Sequence, residues 1–260
     1  MDSLHCYKYQ ATGNDFVLLD NRERKYSLSN EQIRKICDRR FGIGADGVIF
    51  LNPDQDHDFQ MVYHNSDGSK SFCGNGCRAI VHLANHLGVI NKKTSFSGHD
   101  GPHDGFILPD GNIRISLADV QSIEQKTEND FFINTGTEHH ARFVTDLENY
   151  PVIEEGRKIR YGELYRPGGT NANFVEVSED RKVSFRIYER GVEAETYSSG
   201  SGATACALVA AGKYSLKSPV SLVARGGNLL VEFNAGQDNM FSDIFFTGPV
   251  QLVFETTFEV

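Results

Sequence analysis

The sequence predicts an α+β fold made of two similar halves, and three observations carry that expectation. Cys73-Gly74-Asn75-Gly76-Cys77-Arg78-Ala79 returns in altered form as Ser199-Gly200-Ser201-Gly202-Ala203-Thr204-Ala205, nearly half of the 260-residue chain further on. A pattern that repeats at half the chain length points to duplicated domains. Each copy leads into an apolar run that reads as an interior helix, whereas most of the remaining pattern reads as strands. The polar segment 121–130 separates the two patterns, so the expected domains are 1–120 and 121–260, with the final strand able to pack back on the first.

Taken in order, His5 to Gln10 and Phe16 to Asp20 read as strands flanking the turn Ala11-Thr12-Gly13-Asn14-Asp15. Ser29-x-x-Gln32 is a capping box, and Ile33, Ile36 and Cys37 give the helix that follows an inner face. Gly42-Ile43-Gly44-Ala45-Asp46-Gly47 leads into the strand Val48 to Leu51, and Asp58 to Tyr63 is another strand, ending at the turn Asn65-Ser66-Asp67-Gly68. After Cys73, residues Ile80, Val81, Leu83, Ala84 and Leu87 surround a helix on most sides, with Gly88 as its stop. Strands fill Thr94 to Leu117. Beyond the polar segment the pattern restarts with a strand at Phe131 to Thr135, a turn at 136–139 and strands at Ala141 to Thr145, Asn173 to Val177 and Val183 to Tyr188. The second interior helix carries Cys206, Ala207, Leu208 and Val209, and strand pattern continues from Val220 to the end.

Composition narrows the function classes. Apolar residues at 39% and charged residues at 23% are ordinary for a globular chain, and a formal net charge of −9 argues against a nucleic-acid surface. No apolar run approaches the length of a membrane span, and the start Met1-Asp2-Ser3-Leu4-His5 lacks the regions of a signal peptide, so a cytoplasmic location is the default expectation. Five cysteines, an odd number, are expected to be reduced. Cys73 and Cys77 have no second pair or well-placed histidine to complete a zinc site, and no metal is expected. His99 and His103 read as part of a polar loop.

The repeated stretch carries the chemistry. Its glycines allow a tight turn and leave the backbone open to a ligand. The first amides of the following helix, with the positive end of its dipole, can receive a carboxylate. A cysteine at that place is expected to favour the thiolate. Two such helix ends facing each other would hold an amino acid with a proton-transfer group on either side of its α-carbon, the arrangement of a racemase that needs no cofactor. Both copies also match a Gly-x-Gly-x-x-Ala dinucleotide fingerprint. The residues before them, 67–72 and 193–198, are polar where that fingerprint requires an apolar strand.

Six motifs, in order, resemble those of the diaminopimelate epimerase family. They are Gly13-Asn14-Asp15-Phe16, Gly42-Ile43-Gly44-Ala45-Asp46, Asn65-x-Asp67-Gly68, Cys73-Gly74-Asn75-Gly76, Thr170-Asn171-Ala172-Asn173-Phe174, and Tyr188-Glu189-Arg190-Gly191 followed by Glu195-Thr196. The resemblance implies two pseudo-symmetric domains, each a barrel-like sheet around a central helix, with the active site in the cleft between them. It implies stereoinversion at the α-carbon of an amino acid with two carboxylates, such as diaminopimelate, without pyridoxal phosphate or any other cofactor. Cys73, Ser199, His139 and Glu189 would form the catalytic set, with His139 assisting thiol ionisation. The amides of Gly74, Asn75, Gly200 and Ser201 would grip the α-carboxylate. Asn14, Asn65, Asn171 and Arg190 would hold the substrate, Arg190 by a bidentate fork on the distal carboxylate. No nucleic-acid or membrane partner is implied, and a homodimer is one assembly the resemblance allows.

The chain departs from the family at two places. The family has a second cysteine where this chain has Ser199, and usually an asparagine where it has Thr137. A serine hydroxyl is far less acidic than a thiol, so Ser199 is a poor base and leaves an alkoxide when it acts as an acid. Cys206, seven residues along the helix from Ser199, lies about 10 Å away and is no substitute. Three readings follow: an epimerase with impaired turnover, an enzyme in which Cys73 alone removes the proton and a β-substituent leaves, and a non-catalytic amino-acid-binding protein.

Overall fold

A computed structural model describes residues 3–237 and 239–260. The fold is mixed α+β, rich in strands and poor in helices, and it divides into two compact units, Met1–Ile115 with Gly248–Val260, and Ser116–Thr247. The division falls ahead of the polar segment 121–130, and the last strand belongs to the first unit. No helix among the described residues is long and apolar enough to cross a membrane.

In the first unit, β1 (Ser3–Ala11) and β2 (Asn14–Asp20) form a hairpin. Its two turn residues, Thr12 and Gly13, have φ of 51° and 86°, as a type I′ turn requires. Helix α1 (Asn30–Cys37) has both halves of the expected capping box: the Gln32 amide donates to Ser29 Oγ at 3.3 Å and the Ser29 amide donates to Gln32 Oε1 at 2.9 Å. Strand β3 (Gly47–Asn52) then lies parallel to β2, and β4 (Phe59–Asn65) antiparallel to β3. Helix α2 (Gly74–His86) follows, closed by Gly88 at φ 69° and a Val89 amide bonded back to Ala84 O, the helix stop expected there. Strand β5 (Lys93–Gly98) is parallel to β4 and leads into the antiparallel β6 (Gly101–Ile107) and β7 (Ile113–Ser116).

The second unit repeats this order. After the short β8 (Ile123–Gln125), β9 (Asp130–Asn134) and β10 (Glu138–Phe143) form a hairpin, and α3 (Val152–Arg160) precedes β11 (Asn171–Val177), parallel to β10. Strand β12 (Val183–Glu189) is antiparallel to β11, and β13 (Ala194–Thr196) pairs with it. Helix α4 (Gly200–Tyr214) is followed by β14 (Val220–Ala224), parallel to β12, and by the antiparallel β15 (Gly227–Ala235) and β16 (Phe241–Gly248). Hairpin, helix, parallel strand, antiparallel strand, interior helix, parallel strand and meander occur in the same sequence twice. The repeat read from fourteen residues therefore extends to the topology of each unit. Strand β17 (Gln251–Glu259) runs antiparallel along β1, completing the first unit from the far end of the chain.

Each interior helix sits inside its own sheet. Helix α2 packs on β1, β2, β3, β4 and β6, and Ile80, Val81 and Leu83 bury against Phe16, Ile49, Phe59 and Phe96. Helix α4 packs on β9 to β12, β14 and β15, with Leu208 and Val209 among Phe185, Ile187, Leu222 and Phe246. Each large side chain so buried stabilises its unit by about 1.5–3 kcal/mol. Two differences from the sequence reading bear on the site. Helix α3 was not foreseen; it buries Val152, Gly156 and Ile159, and Gly156 lies so close to Tyr188 that a Cβ would stand 2.4 Å from the Tyr188 Cβ. His139, placed by pattern in a turn, lies in β10, because the strand starts at Glu138, ahead of the expected Ala141.

The second glycine of each repeat is required by close packing. A Cβ on Gly202 would lie 2.8 Å from both Asn173 Oδ1 and Ile187 Cδ1, and one on Gly76 would lie 3.0 Å from the flexible ends of Ile49 and Met61. Gly202→Ala is expected to cost about 1–3 kcal/mol and Gly76→Ala less, read as the relative shifts of their urea midpoints.

Candidate functional site

The candidate centre of the first unit is built where α2 begins. Cys73 is the N-cap: the Gly76 amide donates to its sulfur at 3.4 Å, and its thiol donates to Asn14 Oδ1 at 3.7 Å. The first amides of α2, Gly74 and Asn75, precede the intrahelical ladder, whose first bond runs from the Cys77 amide to Cys73 O. Negative charge on a ligand or on the sulfur is favoured at such an end.

Asn14 is in turn held by charges. Its Nδ2 donates to Asp46 Oδ2 at 2.6 Å, while its Oδ1 also accepts from Asn75 Nδ2 at 3.2 Å. Arg39 bridges Asp46 and Asp15, with 2.7 Å contacts to each, and Lys8 donates to Asp15 at 2.5 Å and to the Gly44 carbonyl. Burial, with the charge of Asp15 nearby, pushes the Asp46 carboxyl above its ordinary range. Asp15 is also buried, yet hydrogen bonds from Arg39 and Lys8 hold it below that range. The two motifs around Asn14 and Asp46 are therefore one supporting layer that fixes the acceptor beside Cys73. Buried Arg78 adds a bond to Thr12 Oγ1 at 3.1 Å, tying α2 to the turn before Asn14.

Asn65 is bonded to the loop that follows it. Its Nδ2 donates to Ser69 O, Ser69 Oγ and Ser71 Oγ, and its Oδ1 accepts from Ser71 Oγ, so its amide stabilises the loop that leads to Cys73.

The candidate centre of the second unit repeats the cap with oxygen in place of sulfur. Ser199 is the N-cap of α4, and the Gly202 amide donates to its Oγ at 3.2 Å. Ser199 Oγ lies 3.5 Å from Ser201 Oγ, Thr137 Oγ1 donates to Ser201 Oγ at 3.1 Å, and Thr137 Oγ1 lies 2.9 Å from His139 Nε2. Thr135 Oγ1 bonds the Ser201 carbonyl at 2.9 Å. On the other edge of the ring, Asn173 Nδ2 contacts His139 Nδ1 at 3.1 Å and donates to His140 O at 2.9 Å. The His139 ring is fully buried, and desolvation, with the positive charge of Arg190, pushes its pKa down to about 3.

Both ring nitrogens are engaged inside the second unit, by Thr137 and Asn173, and the lowered pKa keeps the ring neutral. Cys206 is fully buried and its thiol is pushed well up by desolvation, which bars it from replacing Ser199.

Arg190 and Asn171 form one clamp. Asn171 Oδ1 accepts from the Arg190 amide at 2.9 Å and its Nδ2 donates to Glu138 O at 2.9 Å, while the Arg190 guanidinium donates to Glu138 Oε2 at 2.7 Å and to Gly169 O at 3.0 Å. Glu189 is half-buried at the end of β12, next to Arg190. Glu195 is tied to Arg186 by paired bonds of 2.7 and 2.8 Å. Sequence reasoning missed Glu138, Asn173, Asp46 and the side chains of Thr135 and Ser201. The Asn173 and Asp46 motifs were visible, but their partners lie on other elements.

A sequence profile described as diaminopimelate epimerase matches residues 6–121 and 131–253. The chain belongs to the diaminopimelate epimerase family. Among relatives in that family, the diaminopimelate epimerase of Flavobacterium psychrophilum is 46% identical over 258 residues, covering 98% of this chain and 100% of that protein. That of Aquifex aeolicus is 38% identical, covering 97% and 96%. Solved structures share the fold of this diaminopimelate epimerase family member at low identity. A Bacillus anthracis phenazine biosynthesis protein of the PhzF family superposes with a TM-score of 0.78 at 12% identity, covering both chains fully. A hydroxyproline epimerase from Agrobacterium vitis, with bound trans-4-hydroxy-L-proline, gives 0.73 at 14%, covering 98% of this chain and 92% of that one.

The state of His139 has a consequence for stability. The unfolded chain takes up a proton at this ring below about pH 6.5, whereas the folded chain does so only near 3. Its contribution is therefore present above about 6.5 and drains away as pH falls toward 3. His139→Gln is expected to flatten the loss of stability between pH 7 and pH 5, measured as urea midpoints of both proteins at the two values.

Proposed function

We propose that the chain inverts the α-carbon of diaminopimelate, with Cys73 removing the α-proton and Ser199 supplying the replacement. The observation that carries this reading is the matched pair of helix N-caps, thiol in one unit and hydroxyl in the other, each receiving the amide of the second glycine of its own Gly-x-Gly turn. Kinship at 46% identity to a diaminopimelate epimerase supports the choice of substrate.

Within this reading the amides of Gly74, Asn75, Gly200 and Ser201 receive the α-carboxylate, and charge that spreads onto it as the proton leaves is met by donors already oriented. Arg190, anchored by Glu138 and by Asn171, receives the distal carboxylate, a task that suits a planar guanidinium. Asn171 and Asn65 act by holding Arg190 and the Cys73 loop, and Asn14 acts by orienting the thiol. Glu189 is assigned to the substrate's amino end, where a carboxylate complements an ammonium group. The reaction proceeds on side chains and backbone amides alone.

Residue 199 limits the rate. Proton donation by a hydroxyl leaves an alkoxide, a costlier species than a thiolate. One-sided proton exchange at Cys73, with or without loss of a β-substituent, is the second reading, and the hydroxyl at 199 is the observation that favours it.

Single stereoisomers of diaminopimelate, incubated in heavy water, separate the readings: product that is both deuterated and inverted is expected. Deuterium without inversion would establish the one-sided chemistry, and neither change would make the protein a binder. Ser199→Cys is expected to raise kcat by about 10²-fold or more, and an unchanged rate would remove residue 199 from the proton path.

A further inference from the structure

We infer that Thr137 and Ser201 are positioning residues that connect Ser199 to His139 through an ordered string of hydroxyl groups, aiming two hydrogen-bond donors at the Ser199 oxygen. The inference rests on the proposed role of Ser199 in stereoinversion, and it explains how a serine can serve where the family has a cysteine.

The direction of the string follows from its buried end. The Asn173 side chain donates to the His140 carbonyl at 2.9 Å, which fixes the NH2 group on that side and presents its second hydrogen to His139 Nδ1 at 3.1 Å. An amide flipped the other way would set two carbonyl oxygens against each other. Nδ1 is therefore an acceptor, and the neutral ring must carry its proton on Nε2. That N–H can only donate to Thr137 Oγ1, 2.9 Å away. Thr137, having accepted, donates onward to Ser201 Oγ at 3.1 Å, and Ser201 directs its own proton to Ser199 Oγ at 3.5 Å. The Gly202 amide supplies a second donor at 3.2 Å. With two donors aimed at its lone pairs, Ser199 has its own hydrogen left to give.

The proton account closes. The Cys73 thiolate takes the α-proton and leaves an electron pair on the α-carbon; that pair takes the Ser199 proton, leaving a Cys73 thiol and a Ser199 alkoxide. Water then accepts the thiol proton and returns one to the alkoxide. The string acts at the alkoxide stage, because hydrogen bonds to a charged oxygen are roughly twice as strong as those to a neutral one. His139 stays neutral throughout and orients the string, so the family histidine here serves residue 199 through Thr137.

Two measurements test the inference. Nitrogen-15 NMR of the histidine-labelled protein, free of substrate, is expected to show His139 as the Nε2–H tautomer; the Nδ1–H tautomer would reverse the string and overturn the proposal whatever the substrate. The second is a cycle of four proteins assayed with diaminopimelate: the unaltered chain, Thr137→Val, Ser199→Cys and both changes together. Thr137→Val is expected to lower kcat about 10- to 100-fold with Ser199 present, with little change in KM. In the Ser199→Cys background the same change is expected to cost less than about threefold, since a thiolate needs less help from donors. Thr137→Ser restores the rate. Equal losses in both backgrounds, or a raised KM in both, would make Thr137 a structural or substrate-gripping residue and overturn the proposal. Absence of turnover in all four proteins would sink the assigned reaction, leaving the tautomer to decide the string by itself.

Discussion

The structure depends on one contact made twice: the amide of the second glycine in a Gly-x-Gly turn donating to the side chain that caps an interior helix. That contact fixes the capping atom at the positive end of the helix dipole, where a negative charge is favoured. It also keeps the capping atom off the helix side, where Cys77 and Cys206 are buried and their thiols pushed up by desolvation. The rest of each unit serves to place that helix. A sheet surrounds it, and small residues along α4, from Gly200 to Ala211, let the strands come close.

The two N-caps have different surroundings. Cys73 is backed by a carboxamide, Asn14, which is braced by two carboxylates and two cations. Ser199 is backed by hydroxyls and a neutral imidazole that is itself fully buried. A thiol requires only an oriented acceptor for its proton. An alcohol requires donors, because the difficulty lies in the oxygen anion it leaves behind. Thr137 and Ser199 lie in one hydrogen-bonded chain through Ser201, so the two hydroxyls belong to a single arrangement.

What could be read from the sequence was whatever repeats or lies close along the chain. The Cys73 and Ser199 turns declared themselves by likeness, the Ser29 capping box by its spacing, and the end of α2 by Gly88. Helix α3 escaped because its buried face is short, Val152 and Ile159 with Gly156 between them set against Tyr188, so only two apolar side chains mark it. Asn65 and Asn171 look like ligand groups in a sequence. Their amides also bond to the Ser69–Ser71 loop and to the Glu138 to Arg190 clamp, which only folding reveals. The partners of His139 come from β11 and from the turn before β10, and no spacing rule links residues 137, 173 and 201.

The placement of β17 along β1 makes the first unit discontinuous in the chain. The second unit, by contrast, is one unbroken stretch. During synthesis the later-made unit can therefore close first, while the earlier one waits with an open edge until residues 251–259 emerge from the ribosome. Until then the outer edge of β1 carries unpaired backbone groups, the kind of exposed strand edge on which foreign chains can add.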